Sequence, residues 1–151
     1  MIEVEPIFYV NPKIMGHISN VHGHGVFARD LIKEGEVVEV CKLLRLGWRM
    51  AYHSDPVLRD YSWASPPCSC EQCKYHGPNL FIALGFGSVY NHSNEPNTSI
   101  KFDYEKGILT ITAKKDIGRN EEIFVSYGDN YWKTRNMKEP NNIVMSTVDA
   151  S

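Results

Sequence analysis

Three short polar runs carry the side chains of this chain that are fit for chemistry. Gly23-His24-Gly25 comes first. Asn91-His92-Ser93 follows, inside Val89-Tyr90-Asn91-His92-Ser93-Asn94-Glu95-Pro96-Asn97, and Ser126-Tyr127-Gly128 closes the run begun by Glu121-Glu122-Ile123-Phe124-Val125. Two glycines flanking one residue let the backbone fold tightly and approach a ligand, because no Cβ stands in the way. The same pattern also marks an ordinary turn, and it lacks the third glycine and following helix of a dinucleotide fingerprint. Asn91, His92 and Ser93 offer an amide, an imidazole and a hydroxyl to a ligand or, in the plainer reading, to their own backbone in the turn that Pro96 and Asn97 enforce. Tyr127, after a Glu121-Glu122 turn and at the end of an apolar run, is either a half-buried packing residue or a hydroxyl held at a reaction centre.

A fourth cluster has the chemistry of a metal site. Cys68, Cys70 and Cys73, with His76 just beyond, supply three thiolates and an imidazole, the donor set of a closed tetrahedral zinc centre. Their spacing is tight for one four-ligand centre, so zinc is not expected. Cys41, inside an apolar stretch, reads as plain core.

The elements that must position these residues are mostly extended. Ile7 to Val10, Gly25 to Ala28 and Glu36 to Leu44 read as strands, with Lys33-Glu34-Gly35-Glu36 as the turn before the third. Ser99 to Asp103 and Ile108 to Thr112 flank Tyr104-Glu105-Lys106-Gly107 as a hairpin, and Ile123 to Tyr127 forms a last short strand. Between Trp48 and Asn79 the composition turns to Tyr, His, Ser, Pro and Cys, which reads as an insertion or long loop, centred on residues 64–79. Helical fragments are allowed at Pro56 to Trp63 and at Asn79 to Tyr90, the second weakened by Gly85 and Gly87. The polar tail 133–151 shows no periodicity, and no internal repeat is present.

The totals bound the class. The chain has 151 residues, 42% of them apolar and 11% aromatic, enough for one core and one folded domain. A formal net charge of -2 gives no basic footprint, so nucleic acid is not an expected partner. No apolar run is long enough to span a membrane, and the N-terminus has no signal pattern; an intracellular protein, in cytoplasm or nucleus, is expected.

Taken together and in this order, Gly23-His24-Gly25-Val26-Phe27-Ala28, the extended run Gly85 to Asn97 and Glu121 to Gly128 resemble the SET-domain protein lysine methyltransferases. The similarity is greatest to compact viral and bacterial members without pre-SET or post-SET domains, and it covers residues 7–132. It implies a mainly β, β-rich α+β fold of several small sheets, in which the segment carrying Tyr127 threads under a loop near Asn91, a pseudoknot-like arrangement rare in proteins. It implies an S-adenosylmethionine-dependent protein-lysine N-methyltransferase whose product is S-adenosylhomocysteine and whose substrate is a lysine-containing protein, a histone tail or another.

Carried over by position, Tyr127 and Tyr61 belong to the catalytic centre. Gly23, His24, Gly25, Asn91 and His92 hold the cofactor, and Trp132 covers its adenine. Tyr90, Val125 and Tyr131 line the lysine channel. Tyr131 and Trp132 equally suit a plain packing role for the chain end. A small residue at Val125 leaves room for two or three methyls. The family's post-SET zinc is not implied, since Asn94 stands where it would take a cysteine and no cysteine follows Tyr127. A homodimer, known among compact relatives, is left open.

The chemistry requires few charged groups. A lysine with an ordinary pKa of about 10.4 must become neutral to attack. Burial in an aromatic channel beside a sulfonium favours that neutral form, so no dedicated base is needed. A reading from another class keeps the channel without turnover, as a lysine-peptide binding module with a metal-stabilised Cys68 to His76 loop. Intact Asn91, Tyr127, Gly23 and Gly25 favour the enzyme.

Overall fold

The computed structural model describes residues 7–46, 55–64 and 80–128. Among the described residues, ten strands and one short helix follow in the order β1 (Tyr9–Val10), β2 (Ile14–Ile18), β3 (His24–Ala28), β4 (Val37–Arg45), α1 (Pro56–Asp60), β5 (Trp63–Ala64), β6 (Leu80–Ala83), β7 (Asn91–His92), β8 (Thr98–Asp103), β9 (Ile108–Ala113) and β10 (Glu122–Val125). The fold is strand-rich, as the sequence predicts.

The larger sheet has the order β5-β6-β4-β9-β8, with β1 also on β4. Its organiser is β4, long enough to pair β9 along one edge and to take β1 and then β6 in succession on the other. A bulge shifts the register between Val37 and Glu39, so Val38 and Glu39 both turn inward, after which Cys41 and Leu43 keep the inward alternation. The β8–β9 hairpin closes as expected: Gly107 takes a positive φ of 67°, and the Lys106 N–H donates to Asp103 Oδ1 at 2.9 Å.

The smaller sheet has the order β2-β3-β10-β7. Here β10 runs antiparallel to β3 and parallel to β7, and all four of its side chains are buried. The 91–98 segment grips β10 along its length. The Phe124 N–H donates to Asn97 Oδ1, Asn97 Nδ2 donates to the Glu122 carbonyl and Thr98 Oγ1 donates to the Phe124 carbonyl. Ser93 N–H adds a bond to the Val125 carbonyl. An amide side chain thereby adds to the strand's hydrogen bonding on the side of β7. Between the sheets lies one apolar core that includes Val26, Ile32, Val38, Leu109, Ile111 and Ile123.

Three expectations need correction. Leu80 to Tyr90 is not helical: Leu80–Ala83 is a strand, and turns follow it, because Gly85 takes a positive φ of 74° and Leu80–Ala83 fits between β5 and β4. The helix begun at Pro56 stops at Asp60, and Trp63 enters β5. Glu122 is not part of a turn but the buried first residue of β10. Strand β2, which carries Gly16 in its middle, has no sequence prediction behind it and forms because β3 offers it a register of five pairs. Most of the expected loop 64–79, and the tail, lie outside the described residues.

Candidate active site

The site forms where the two sheets meet, at the step from Tyr90 to Asn91. Tyr127, two residues beyond β10, is fixed twice from this step. Its backbone N–H donates to His92 Nδ1 at 2.9 Å, and its hydroxyl donates to the Tyr90 carbonyl at 2.8 Å. The first bond assigns the His92 proton to Nε2, because Nδ1 must accept. The His92 and Tyr127 rings lie 5.2 Å apart, tilted by 40°. A phenol whose proton is committed to a carbonyl acts toward anything else as an acceptor.

Trp63 stands edge-on to the Tyr127 ring, at 6.1 Å and 87°, and its indole N–H donates to the Gly87 carbonyl at 3.3 Å. Tyr61, not Trp63, is the aromatic expected at this centre. Tyr61 lies just after α1 with its side chain 51% exposed, whereas Trp63 is buried against the core. Period-two alternation into β5 is the signal that picks Trp63 from this aromatic pair.

Asn91 is stitched to the glycine loop. Its Nδ2 donates to the carbonyl of His22 at 3.0 Å, to that of His24 at 3.4 Å and to Glu122 Oε2 at 2.8 Å. All three partners are acceptors, so the amide orientation is determined, and what Asn91 presents to a ligand is the oxygen Oδ1. Gly23 takes a positive φ of 49° with open space where a Cβ would stand. Gly25 is needed for another reason: a Cβ there would overlap Glu122 Oε2 and lie 3.0 Å from Asn91 Nδ2. The turn before the loop is set by Ser19, whose Oγ donates to Glu122 Oε1 at 2.7 Å and accepts from the Val21 N–H at 3.0 Å.

Two buried carboxylates flank the site, Glu122 where a turn is expected and Glu39 inside an expected strand, and neither is among the expected site residues. Glu122, 1% exposed, joins Ser19 to Asn91. Glu39, also 1% exposed, accepts from the Tyr90 hydroxyl at 2.7 Å and from the Phe86 N–H at 3.0 Å. Burial pushes the Glu39 carboxyl above the usual carboxylate range, offset in part by the bonds from Tyr90, Phe86 and Cys41. Burial first, and then the neighbouring Glu39 charge, push both the Cys41 thiol and the Tyr90 phenol upward, so both stay protonated.

Of the channel candidates, Val125 is fully buried in β10 and pairs in register with His92. The Tyr90 side chain is 1% exposed and turned to Glu39, so Tyr90 meets Tyr127 through its carbonyl rather than through its ring. His24 is exposed at the start of β3. Tyr131, Trp132 and the Cys68, Cys70, Cys73 and His76 group lie outside the described residues. Among the described residues no group of three or more His, Cys, Asp or Glu side chains is placed to hold a metal. Nor is any helix among them long and apolar enough to cross a membrane.

The sequence profile of the SET domain matches residues 23–128. A histone-lysine N-methyltransferase of Schizosaccharomyces pombe, specific for H3 lysine-37, is 28% identical over 113 residues, covering 73% of this chain and 69% of that protein. A Plasmodium falciparum protein described as a candidate histone methyltransferase superposes with a TM-score of 0.58 at 27% identity, over 82% of this chain and 99% of that one. The Chaetomium thermophilum Polycomb Repressive Complex 2, solved in an autoinhibited conformation bound to S-adenosylmethionine, shares the fold, with a TM-score of 0.57 at 23% identity over 82% of this chain and 16% of that one.

Both glycines of the loop, Asn91 and Tyr127 fall inside the matched span, and the chain belongs to the SET-domain family. Its class is protein-lysine N-methyltransferase.

Proposed function

We propose that the chain methylates lysine ε-amines of a protein substrate, histone tails being the first to test, with S-adenosylmethionine as donor and residues 7–132 as the catalytic domain. The observation that carries this reading is the double fixing of Tyr127, by His92 Nδ1 and the Tyr90 carbonyl, one residue from the Asn91 amide that is stitched to the glycine loop. When bound, S-adenosylmethionine supplies an electrophilic methyl group on a sulfonium. The residues suit such a ligand: Asn91 Oδ1 is an acceptor fit for an ammonium, and the open side of Gly23 lets the backbone approach.

The work left to the protein is positional. The Tyr127 oxygen, its O–H directed at the Tyr90 carbonyl, accepts from the incoming amine and holds it in line, and a buried aromatic wall that includes Trp63 disfavours the ammonium form. Val125, being small, leaves room for a second and third methyl, which mass spectrometry of the end product counts. The founding test is transfer of labelled methyl groups from S-adenosylmethionine to histone H3 and to a lysate of the host. Labelled lysine is the expected outcome. A protein that neither labels any substrate nor gains thermal stability from S-adenosylhomocysteine overturns the reading.

A further inference from the structure

We infer that Glu122 is a specificity-determining residue, the charge that recognises the ammonium of the methyl donor, acting through Asn91; this rests on the cofactor reading above. Glu122 is almost wholly buried, and its partners are neutral: the Ser19 hydroxyl on Oε1 and the Asn91 amide on Oε2. Both oxygens accept, which is the bonding pattern of an ionised carboxylate. A carboxylate taken out of water without a cation is costly. The salt bridge between Lys13 and Glu36 lies elsewhere.

The carboxylate lies directly behind the ligand cradle. A Cβ on Gly25 would overlap its Oε2, so no side chain separates it from the loop. Its charge reaches the ligand face through one amide. Hydrogen bonds polarise one another in series, so a carboxylate drawing on Asn91 Nδ2 makes Asn91 Oδ1 the stronger acceptor. The same bonds to His22, His24 and Glu122 prevent the amide from flipping and presenting its N–H groups to a cation. Glu122 thus sets both the orientation and the electrostatic sign of what Asn91 offers. Ser19 completes the seat, tying the carboxylate to the turn that leads into the glycine loop.

The substitution Glu122→Gln isolates the charge. Its Oε1 still accepts from Asn91, and its Nε2 donates to Ser19 Oγ once that hydroxyl turns, so shape and both contacts survive. The probes are S-adenosylhomocysteine and its desamino analogue, titrated calorimetrically into the full chain. Wild type is expected to prefer the ammonium-bearing ligand by about tenfold or more, the size of one hydrogen bond to a charged group, which the desamino analogue cannot make. Glu122→Gln is expected to remove most of that preference while desamino affinity stays within about twofold and the melting temperature within about 4 °C. Equal wild-type affinities, or equal losses for both ligands in the variant, overturn the proposal. If the variant does not fold, Glu122→Asp serves, since it keeps the charge but draws it back from Asn91 and must narrow the preference for the ammonium-bearing ligand; an unchanged preference also overturns the proposal. Failure of either ligand to bind wild type overturns instead the cofactor reading on which the proposal rests.

Discussion

Glu39 and Glu122 are built alike and serve opposite sides of one peptide step. Each is a glutamate 1% exposed in a strand, and each has a glycine against its Oε2 where a Cβ would overlap: Gly85 for Glu39, Gly25 for Glu122. Glu39 belongs to the larger sheet and holds the Tyr90 hydroxyl; Glu122 belongs to the smaller sheet and holds the Asn91 amide. Consecutive residues are therefore anchored to different sheets. The Tyr90 carbonyl, between the two anchors, takes the Tyr127 hydroxyl. The difference teaches a division of labour, in which the Glu39 side steadies the transfer point and the Glu122 side steadies the ligand loop.

Tyr127→Phe cuts that division at its most sensitive point. It removes the acceptor oxygen and the bond to Tyr90 while leaving Asn91, Glu122 and the glycine loop untouched. Methyl transfer is expected to fall by about 10²-fold or more, the size of losing one preorganised polar group at a reacting centre. Binding of S-adenosylhomocysteine is expected to stay within about twofold, by the same calorimetry. Full activity in the variant removes Tyr127 from the transfer point, and a parallel loss of binding erases the separation of the two sides.

The two glycine seats come next. Gly85→Ala meets Glu39 and also forces an L-residue to a φ of 74°, whereas Gly25 has only the overlap with Glu122 and Asn91 to resolve. Overpacking of this kind costs about 1–3 kcal/mol, with the strained backbone adding about 1–2 kcal/mol at Gly85. Denaturant unfolding is expected to rank Gly85→Ala as the less stable. Only Gly25→Ala is expected to weaken S-adenosylhomocysteine binding, because its overlap displaces the amide that faces the ligand. A binding loss in Gly85→Ala alone reverses the assignment of the two sides.

Much of this site is legible in the chain before any fold is known, and the reason is locality. Asn91-His92-Ser93, Ser126-Tyr127-Gly128 and the glycine loop are contiguous runs whose turn chemistry is written in neighbouring residues. The hairpin at Tyr104 to Gly107 and the β4 run are legible for the same reason. The carboxylate seats are not, because each is assembled across the chain: Glu39 meets Tyr90 across a separation of 51 positions, and Glu122 meets Ser19 across 103. A hint was present in Val37-Val38-Glu39-Val40-Cys41, where a charged residue interrupts a β-branched run. The parity of Glu39 with Cys41 and Leu43 puts it on the inward face, but the β-branched Val37, Val38 and Val40 mask that parity, and the bulge between Val37 and Glu39 brings Val38 inward beside it. Glu122 sits beside Glu121 and looks like a solvated turn until β3 and β7 close on either side of β10.

The smallest effect is the one that separates the two carboxylates by protonation. Burial raises the Glu39 pKa above its ordinary value near 4.5, so the folded protein holds that proton to higher pH than the unfolded chain does. Between the ordinary value and the raised one the native state binds more protons, and the slope of unfolding free energy with pH is negative there. Glu39 therefore costs no stability below the ordinary carboxylate range, costs progressively more as pH rises through the window, and levels off above the raised value. Gln at this position cannot ionise, and its amide still satisfies both partners by accepting from the Phe86 N–H and donating to the Tyr90 oxygen. The stability of Glu39→Gln minus that of wild type, measured by denaturant unfolding from pH 4 to pH 8, is expected to climb with pH. Curves that stay parallel across that range mean that Glu39 titrates alike folded and unfolded, and that its seat beneath Tyr90 is wetter than its burial implies.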